Sequence, residues 1–371
     1  MNWDVLIVGA GKIGRMVGVV LETQPEYSVT IADTNEENLA EVAKLGLKTA
    51  KVDVTKEDEL VAALQGKQAV LSAAPYFLTP AIASGAKKAG THYFDLTEDV
   101  KGTKFVRDLA KDADTAFMPQ CGLAPGFVGV AGYHLAKQFD KVEDLSMRVG
   151  ALPRFPTNAL KYNITWSTEG MVNEYCNPCE ALVDGKLVEV PPLENLQTFT
   201  LNGTEFECFN TSGGLGTLCE TLAGHAQNVS YRSIRYPGHR DILKILLQDL
   251  KLQNRQDLMC EIFNTALPVT KQDTVTVFCT ATGTINGRFE EKSFLNVSTP
   301  MEVAGQEWTA IQITTAAGVT AAMDLVRTGK LPQKGFLSQE QIDLDEFLDN
   351  RFGGMFLGKP LKTAAKTDKA A

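Results

Sequence analysis

No apolar run in the chain approaches the roughly 18 residues that a membrane-spanning helix needs. Basic charge is also short: 36 Lys and Arg stand against 45 Asp and Glu, for a net charge of −9. An acidic chain repels polyanions, so nucleic acid and anionic membranes are excluded as partners. Cysteine is sparse and odd in number, 7 residues at irregular spacing. That excludes a disulfide framework and fits reduced thiols in a cytoplasmic setting. The first residues enter a strand directly, with no charged segment leading into an apolar one, so no secretory leader is expected. Apolar residues, by contrast, make up 44% of 371 residues, enough to bury more than one core. Two domains are therefore expected.

The first chemistry lies at the start. DVLIV (residues 4–8) is the short, continuous apolar run of a buried parallel strand. GAGKIG follows, and then MVGVVLETQ with helical character. In such a strand–turn–helix unit Gly9 makes the tight turn, and Gly11 leaves room for a pyrophosphate against backbone. Gly14 lets helix and strand pack closely, while the amides of Lys12, Ile13 and Gly14 face the phosphate charge. The glycine pattern alone is weak, but the next strand, YSVTIAD, ends at Asp33, 19 residues beyond Gly14. A carboxylate there accepts from a ribose 2′-hydroxyl and repels a 2′-phosphate, which favours NAD.

The alternation continues. TAKVDV (49–54), QAVLSAAP (68–75), HYFDL (92–96) and TAFMPQCG (115–122) read as strands, with KEDELVAALQG and TPAIASGAKKAG as helices. This is the rhythm of a Rossmann, doubly wound parallel α/β sheet. Ligands bind beyond the carboxyl ends of such strands. One rim then carries Asp53 and Val54, Ala73, Ala74, Pro75 and Tyr76, Asp95, and Cys121. Asp53 has two readings, an acceptor for the adenine amino group or ordinary loop chemistry. Ala73 and Ala74 would let a cofactor approach backbone. PQCGLAPGFVGVAG (119–132) then reads as a stiff exit into the second domain, with Gly122 and Gly126 permitting backbone close to a ligand.

From Asp144 onward LSMRVGALP, NALKYNITWST, TFTLNGTEFECF, VSYRSIRY, QDTVTVFCTATGTING and EWTAIQITTAAG read as long alternating strands. They predict a mixed or antiparallel sheet, an α+β partner to the first domain. GVTAAMDLVRTG reads as a helix, and KTAAKTDKAA as a disordered tail. The expected division is 1–122 for the dinucleotide domain, rejoined by C-terminal helices over 316–360, 123–315 for the second domain, and 361–371 for the tail.

Several of these segments together, VGAGKIG, SAAPY, HYFDLTED, CGLAPG, GALPRFPTNALKYNITWSTEGMVNEYCNP, IRYPGH and TTAAG, resemble the saccharopine dehydrogenase-like proteins, and within them the lysine 6-dehydrogenases. The likeness covers nearly the whole chain. It implies oxidative deamination of an amino acid with NAD, and a homodimer formed through the second domain's sheet. Two positions depart from the saccharopine reductases. Ala124 stands where those usually carry an acid before Pro-Gly, and Val149 where they often show cysteine. The alanine looks more like the lysine 6-dehydrogenases.

That reaction needs a neutral amine, an acid–base group, a cation for the α-carboxylate and an anion for the α-ammonium. His239 is the first candidate for acid–base work, because histidine titrates near working pH, with His225 second. Asp95 binds amine or water, or else caps a helix through TEDVKGT. Tyr76 reaches nicotinamide or substrate, or else plugs its loop. Arg235 is the carboxylate clamp, with Arg154 and Arg240 behind it. Glu169 would hold the α-ammonium, and Thr211 and Ser212 would donate to the carboxylate. Cys121 is placed against the cofactor, packing the rim. Cys176 and Cys179 read as buried thiols, since Cys208 and Cys219 lack the spacing of a second zinc half-site, and no metal is expected. Two alternatives stay open: a related dehydrogenase acting on another amino acid or an opine-like secondary amine, and, from a different class, an NAD-binding sensor or scaffold without turnover.

Overall fold

The computed structural model describes residues 2–362, so the expected tail lies outside the described residues from 363 onward. The chain divides into two compact units. The first comprises Met1–Phe127, Met301–Trp308 and Gln312–Ala371; the second comprises Val128–Pro300 and Thr309–Ile311. Among the described residues no helix is long and apolar enough to cross a membrane.

In the first unit the elements are β1 (Trp3–Val8), α1 (Lys12–Glu22), β2 (Tyr27–Asp33), α2 (Glu36–Lys44), β3 (Lys48–Lys51), α3 (Glu57–Leu64), β4 (Ala69–Ser72), α4 (Thr79–Ala89), β5 (His92–Asp95), α5 (Val100–Ala110) and β6 (Ala116–Met118). The strands form one parallel sheet in the order β3-β2-β1-β4-β5-β6, closed at its far edge by the two-residue strand Gly335–Phe336. Five of six residues of β1 are buried, as expected for a strand covered on both faces. The order reverses between β1 and β4, which places the topological switch point where Val8 meets Gly9 and Ser72 meets Ala73. Four strands, β3 to β6, end before their sequence windows do, because the last residues leave the ladder to form the rim.

The exit turn belongs to this unit. Gly126 has φ +137°, and a Cβ there would overlap the backbone of Gly122. The Phe127 amide donates to the Gly122 carbonyl at 3.0 Å. The turn thus closes on itself, and the division falls after Phe127 rather than Gly122. The close approach that its glycines permit is made by protein: a Cβ on Gly318 would stand 2.5 Å from the Gly122 carbonyl oxygen. α6 (Phe127–Ala136) follows.

The second unit is built on β7 (Lys141–Pro153), α7 (Thr168–Cys176), β8 (Cys179–Val183), β9 (Lys186–Val190), β10 (Gln197–Leu201), β11 (Thr204–Asn210), α8 (Leu218–Thr221), β12 (Ala226–Arg235), α9 (His239–Lys244), α10 (Gln256–Ala266), β13 (Asp273–Ile285) and β14 (Arg288–Ser298). Its sheet runs β10-β11-β12-β7-β13-β14, with the β8–β9 hairpin joined to β12. β7 and β12 are parallel, and the remaining pairs are antiparallel, so the sheet is mixed.

Three sequence segments behave differently from expectation. TFTLNGTEFECF is a hairpin, because Asn202 and Gly203 take φ +51° and +79°, the left-handed pair of a tight Asn-Gly turn. Residues 158–167 form a loop rather than a strand. There the Asn158 side chain donates to the Tyr162 carbonyl at 2.7 Å and accepts from the Tyr162 amide, holding a local turn. EWTAIQITTAAG contributes only the three-residue strand Gln306–Trp308 and then enters the long helix α11 (Ala310–Arg327). The reason lies elsewhere in the chain. The buried Asp273 carboxylate accepts the Ala310 and Ile311 amides at 2.7 and 2.9 Å, supplying the missing N-terminal cap. Asp273→Ala is expected to lower unfolding stability by about 2 kcal/mol in urea titrations, with Asp273→Asn losing about half of that.

Candidate functional site

The glycine turn is shaped by backbone crowding. A Cβ on Gly14 would overlap the Gly9 carbonyl, and a Cβ on Gly9 (φ +108°) would come within 2.5 Å of the Ala73 oxygen. Gly11 meets nothing, so space opens above it. No side chain caps α1 at Gly11, which leaves the first-turn amides of Lys12, Ile13 and Gly14 as an anion-binding end. Asp33, at the end of β2, accepts the Ala10 amide on Oδ2 (2.8 Å) and the Asn35 amide on Oδ1 (2.9 Å). The carboxylate is thereby fixed against the glycine turn. Asp53 instead serves its own loop: it takes both the amide and the hydroxyl of Thr55, and Lys56 lies 3.8 Å away. Val54 is buried beside it, Ala73 and Ala74 are half-buried at the rim, and Pro75 is exposed. Tyr76 starts a one-turn helix, 48% exposed, edge-on to Phe77.

Asp95 is a knot rather than a free base. It is buried and accepts three bonds: from the Tyr93 hydroxyl (2.7 Å), the Thr97 amide (3.0 Å) and the Gln120 amide (2.8 Å). Gln120 has φ +62°, an uncommon conformation for a side-chain-bearing residue, and the carboxylate holds it there. Burial pushes the Asp95 carboxyl up to about 6. The cap of α5 is Asp99, whose carboxylate accepts the Gly102 amide. Cys121 is buried on the same turn. Its thiol faces the Met118 carbonyl at 3.1 Å, and burial together with the Asp95 charge pushes its pKa far up. It packs the rim as a thiol.

In the second unit Arg235 and His239 meet on one phenol. Arg235 is 3% exposed; its Nε donates to the Tyr175 hydroxyl and its Nη1 to the Ile234 carbonyl, both at 2.8 Å. The guanidinium lies over the rings of Tyr162 and Tyr175, at 5.3 and 5.6 Å. His239 Nδ1 is 2.9 Å from the Leu160 carbonyl, which can only accept, so Nδ1 carries the proton. Nε2 then accepts from the Tyr175 hydroxyl at 3.1 Å. Burial and the nearby Arg235 charge press the His239 pKa down to about 3. The imidazole stays neutral at working pH and fixes the phenol, which corrects the expectation that it titrates there. Thr211 is buried and shares a 2.8 Å hydrogen bond with Ser233. The Ser212 amide donates to the Glu174 carbonyl at 3.1 Å.

The buried acid of this cluster is Glu174, whose charge acts on Arg235. Glu169 is exposed and accepts from the Ser167 hydroxyl at the start of α7. Helical spacing carried the signal: Met171, Glu174 and Tyr175 share the buried side of α7. Of the reserve candidates, Arg154 stacks on Phe155, Arg240 is engaged by Asp241 and the Leu193 carbonyl, and His225 faces the Ala136 carbonyl. Among the described residues no group of three His, Cys, Asp or Glu could hold a metal ion. Burial pushes Cys176 and Cys179 up to about 11 and about 12.

Comparison with known proteins decides the family. Residues 5–118 match the saccharopine dehydrogenase NADP binding domain, and residues 122–353 match the saccharopine dehydrogenase C-terminal domain. The chain belongs to the saccharopine dehydrogenase family. The NADP(+), L-glutamate-forming saccharopine dehydrogenase of Saccharomyces cerevisiae is 26% identical over 266 residues, covering 67% of this chain and 58% of that protein. Mitochondrial alpha-aminoadipic semialdehyde synthase of Rattus norvegicus is 25% identical over 198 residues, covering 50% of this chain and 21% of that protein. The matched region thus spans less than two thirds of either relative. The structure of apo saccharopine dehydrogenase (L-Glu forming) from Saccharomyces cerevisiae superposes with a TM-score of 0.78 at 18% identity, over 95% of this chain and 98% of that one, so the fold is shared.

In this saccharopine dehydrogenase-family chain the raised Asp95 pKa has a measurable consequence. The folded state keeps the proton that the unfolded chain loses above 3.8, so stability is full below that pH and falls as pH rises to about 6. A difference of about two pH units corresponds to roughly 3 kcal/mol. In urea titrations Asp95→Asn should lack this decline between pH 4 and 6. Parallel profiles for the two proteins would mean that the carboxyl ionises normally.

Proposed function

We propose that the chain is an NAD-dependent dehydrogenase that oxidises L-lysine at its 6-amino carbon. The product would be the 6-semialdehyde, which closes to piperideine-6-carboxylate, with ammonia and NADH released. The observation that carries the reading is Arg235, a buried guanidinium pinned on two of its nitrogens. A cation so fixed suits a single carboxylate, the group that an amino acid always brings. Glu174, on the same cluster, is the anion suited to the α-ammonium. Thr211 and Ser212 add hydroxyls beside it.

The cofactor would lie with its phosphates on the amides of Lys12, Ile13 and Gly14 and its ribose on Asp33. When bound, it accepts the hydride from the amine-bearing carbon. The amine must be neutral to release that hydride, and a free lysine ε-amine titrates near about 10.4. Loss of hydride and of one amine proton leaves an imine, and water converts it to aldehyde and ammonia. NAD rather than NADP is supported by Asp33, although the matched domain and the yeast relative are both described with NADP. A homodimer through the second unit's sheet is part of the same proposal, supported by exposed Phe289, Leu295 and Val297 on β14.

The test is NADH appearance at about pH 9–10 with L-lysine, ornithine, saccharopine and glutamate, each with NAD and with NADP. A lysine signal with NAD, and a product trapped by o-aminobenzaldehyde as a cyclic imine, is expected. A signal with saccharopine alone would replace the substrate and keep the family. Arg235→Ala should raise the Michaelis constant by about a hundredfold, as expected for a lost charged pair worth roughly 3 kcal/mol. An unchanged constant would place the clamp elsewhere. Asp33→Ala should weaken NAD and admit NADP, and an unchanged preference would remove Asp33 from the ribose site.

A further inference from the structure

One residue at the rim of the first unit combines an unfavourable backbone with an unspent side chain. Gln120 lies two residues past the end of β6 and takes φ +62°. Elsewhere such angles have a local reason: Asp184, Asn202, Asn286 and Ala304 each precede a glycine at the tip of a hairpin. Gln120 stands in no hairpin. Left-handed backbone is unfavourable for a residue with a Cβ and open to glycine.

The bonds that hold Gln120 there are made by its neighbours and its own backbone. Its amide donates to Asp95 Oδ1 at 2.8 Å, and the Cys121 amide donates to the Asp95 carbonyl at 2.9 Å. The Pro119 carbonyl accepts from Gln339 Nε2 at 2.8 Å. None of these contacts uses the Gln120 side chain, so glycine would hold the same turn with less strain. The chain instead keeps a long carboxamide, 4% exposed and, among the described residues, without a hydrogen-bond partner. The unpartnered side-chain atoms sealed from solvent are His134 Nδ1, Arg232 Nε and Arg351 Nε, so the Gln120 amide touches solvent at its tip. A nearly buried amide without a partner is unfavourable, and a ligand that supplies the partner removes that cost. Strain held in place by surrounding bonds gathers at ligand-facing positions.

The strand order β3-β2-β1-β4-β5-β6 puts Gln120 across the switch point from Asp33. A dinucleotide straddles such a point, with one nucleotide half on each side. With the adenosine ribose on Asp33, the nicotinamide half belongs over the ends of β4, β5 and β6. The Gln120 neighbours on that rim, Asp95 and Cys121, are already engaged within the protein. A carboxamide offers two donors and an acceptor. A carboxylate would use only the donors, and an ammonium only the acceptor. A second carboxamide uses both in a reciprocal pair, and the nicotinamide ring carries one.

We propose that the Gln120 side chain docks the nicotinamide carboxamide by reciprocal hydrogen bonds, fixing the rotation of the ring and hence the face it turns to substrate. The proposal rests on the cofactor part of the reading above and is independent of the substrate.

The test measures dissociation constants by titration calorimetry on the full chain, for the wild type, Gln120→Leu and Gln120→Gly. The ligands are NAD, its 3-acetylpyridine analogue, which keeps the carbonyl and lacks the NH2, and ADP-ribose, which lacks the ring. Each is also used in its 2′-phosphorylated form. The wild type should bind the dinucleotide about tenfold more tightly than the analogue, which leaves the Gln120 acceptor unpaired. In both variants that ratio should fall to about one, as a double-mutant cycle requires of a direct contact, while ADP-ribose binds as it does to the wild type. Without ligand, Gln120→Gly should melt no lower than the wild type, because glycine relieves the left-handed backbone. A wild type that does not distinguish the dinucleotide from the analogue overturns the proposal, as does a ratio unchanged in both variants. Equal losses for the dinucleotide and ADP-ribose also overturn it, since they mean that the rim itself was disturbed. Failure of the wild type to bind ADP-ribose or dinucleotide in either form overturns the cofactor reading as well. Gln120→Leu keeps the length of the side chain, so it carries the test if Gln120→Gly does not fold.

Discussion

The cofactor-binding unit depends on one close approach of backbone to backbone. The Gly9 carbonyl sits where a Cβ of Gly14 would be, and the Ala73 carbonyl sits where a Cβ of Gly9 would be. β1, α1 and the end of β4 therefore converge with no side chains between them. This fixes the direction of α1 and aims its uncapped amides past the rim. The Asp33 carboxylate completes the arrangement by bonding the Ala10 amide, so β2 and the turn move as one piece. A single methyl group at Gly9 or Gly14 would separate these elements, whereas Gly11 tolerates the space above it because a ligand would use it.

Burial sets the chemistry of both units in the same direction. In the first, it drives Asp95 toward its neutral acid while three donors hold it in place. In the second, it drives His239 toward the neutral base, leaving Arg235 as the fixed cation of the cluster. Neither group is a free proton carrier. Asp95 shapes the turn that ends in Cys121, and His239 orients the phenol that holds Arg235. Such groups matter for reaction geometry, because a site loosened by an ångström loses much of its rate.

Much of this was legible from sequence, for identifiable reasons. The glycine spacing, the strand ending in Asp33 and the strand–helix alternation are local patterns, and the parallel sheet followed from them. Arg235 and His239 were legible as residues but not as partners, since their meeting on Tyr175 needs β12, α7 and α9 to converge. Glu174 reaches the buried side of α7 with Met171 and Tyr175 only through helical spacing, which the residues around Glu169 do not announce. EWTAIQITTAAG reads as a strand, yet most of it is helix. Its β-branched residues favour strands locally, and the cap that decides the matter, Asp273, lies 37 residues earlier. The Asn-Gly turn at 202–203 is in plain view, and reading through it joins two separate strands.

The NAD reading proposed above rests on what stands at the end of β2. The matched domain is described for NADP, and the yeast relative carries NADP in its name. A 2′-phosphate brings two negative charges to the end of β2, and it is tolerated where a cation or a hydroxyl waits for it. Here that position holds a carboxylate, bound through both oxygens to backbone amides and unable to swing away. The nearby cation, Arg15, is already committed to the Ala10 carbonyl and the Asn38 side chain. Turning toward a phosphate would cost Arg15 both bonds and leave Asp33 facing the new charge. A ribose hydroxyl asks for neither change, since it only needs the acceptor that Asp33 presents.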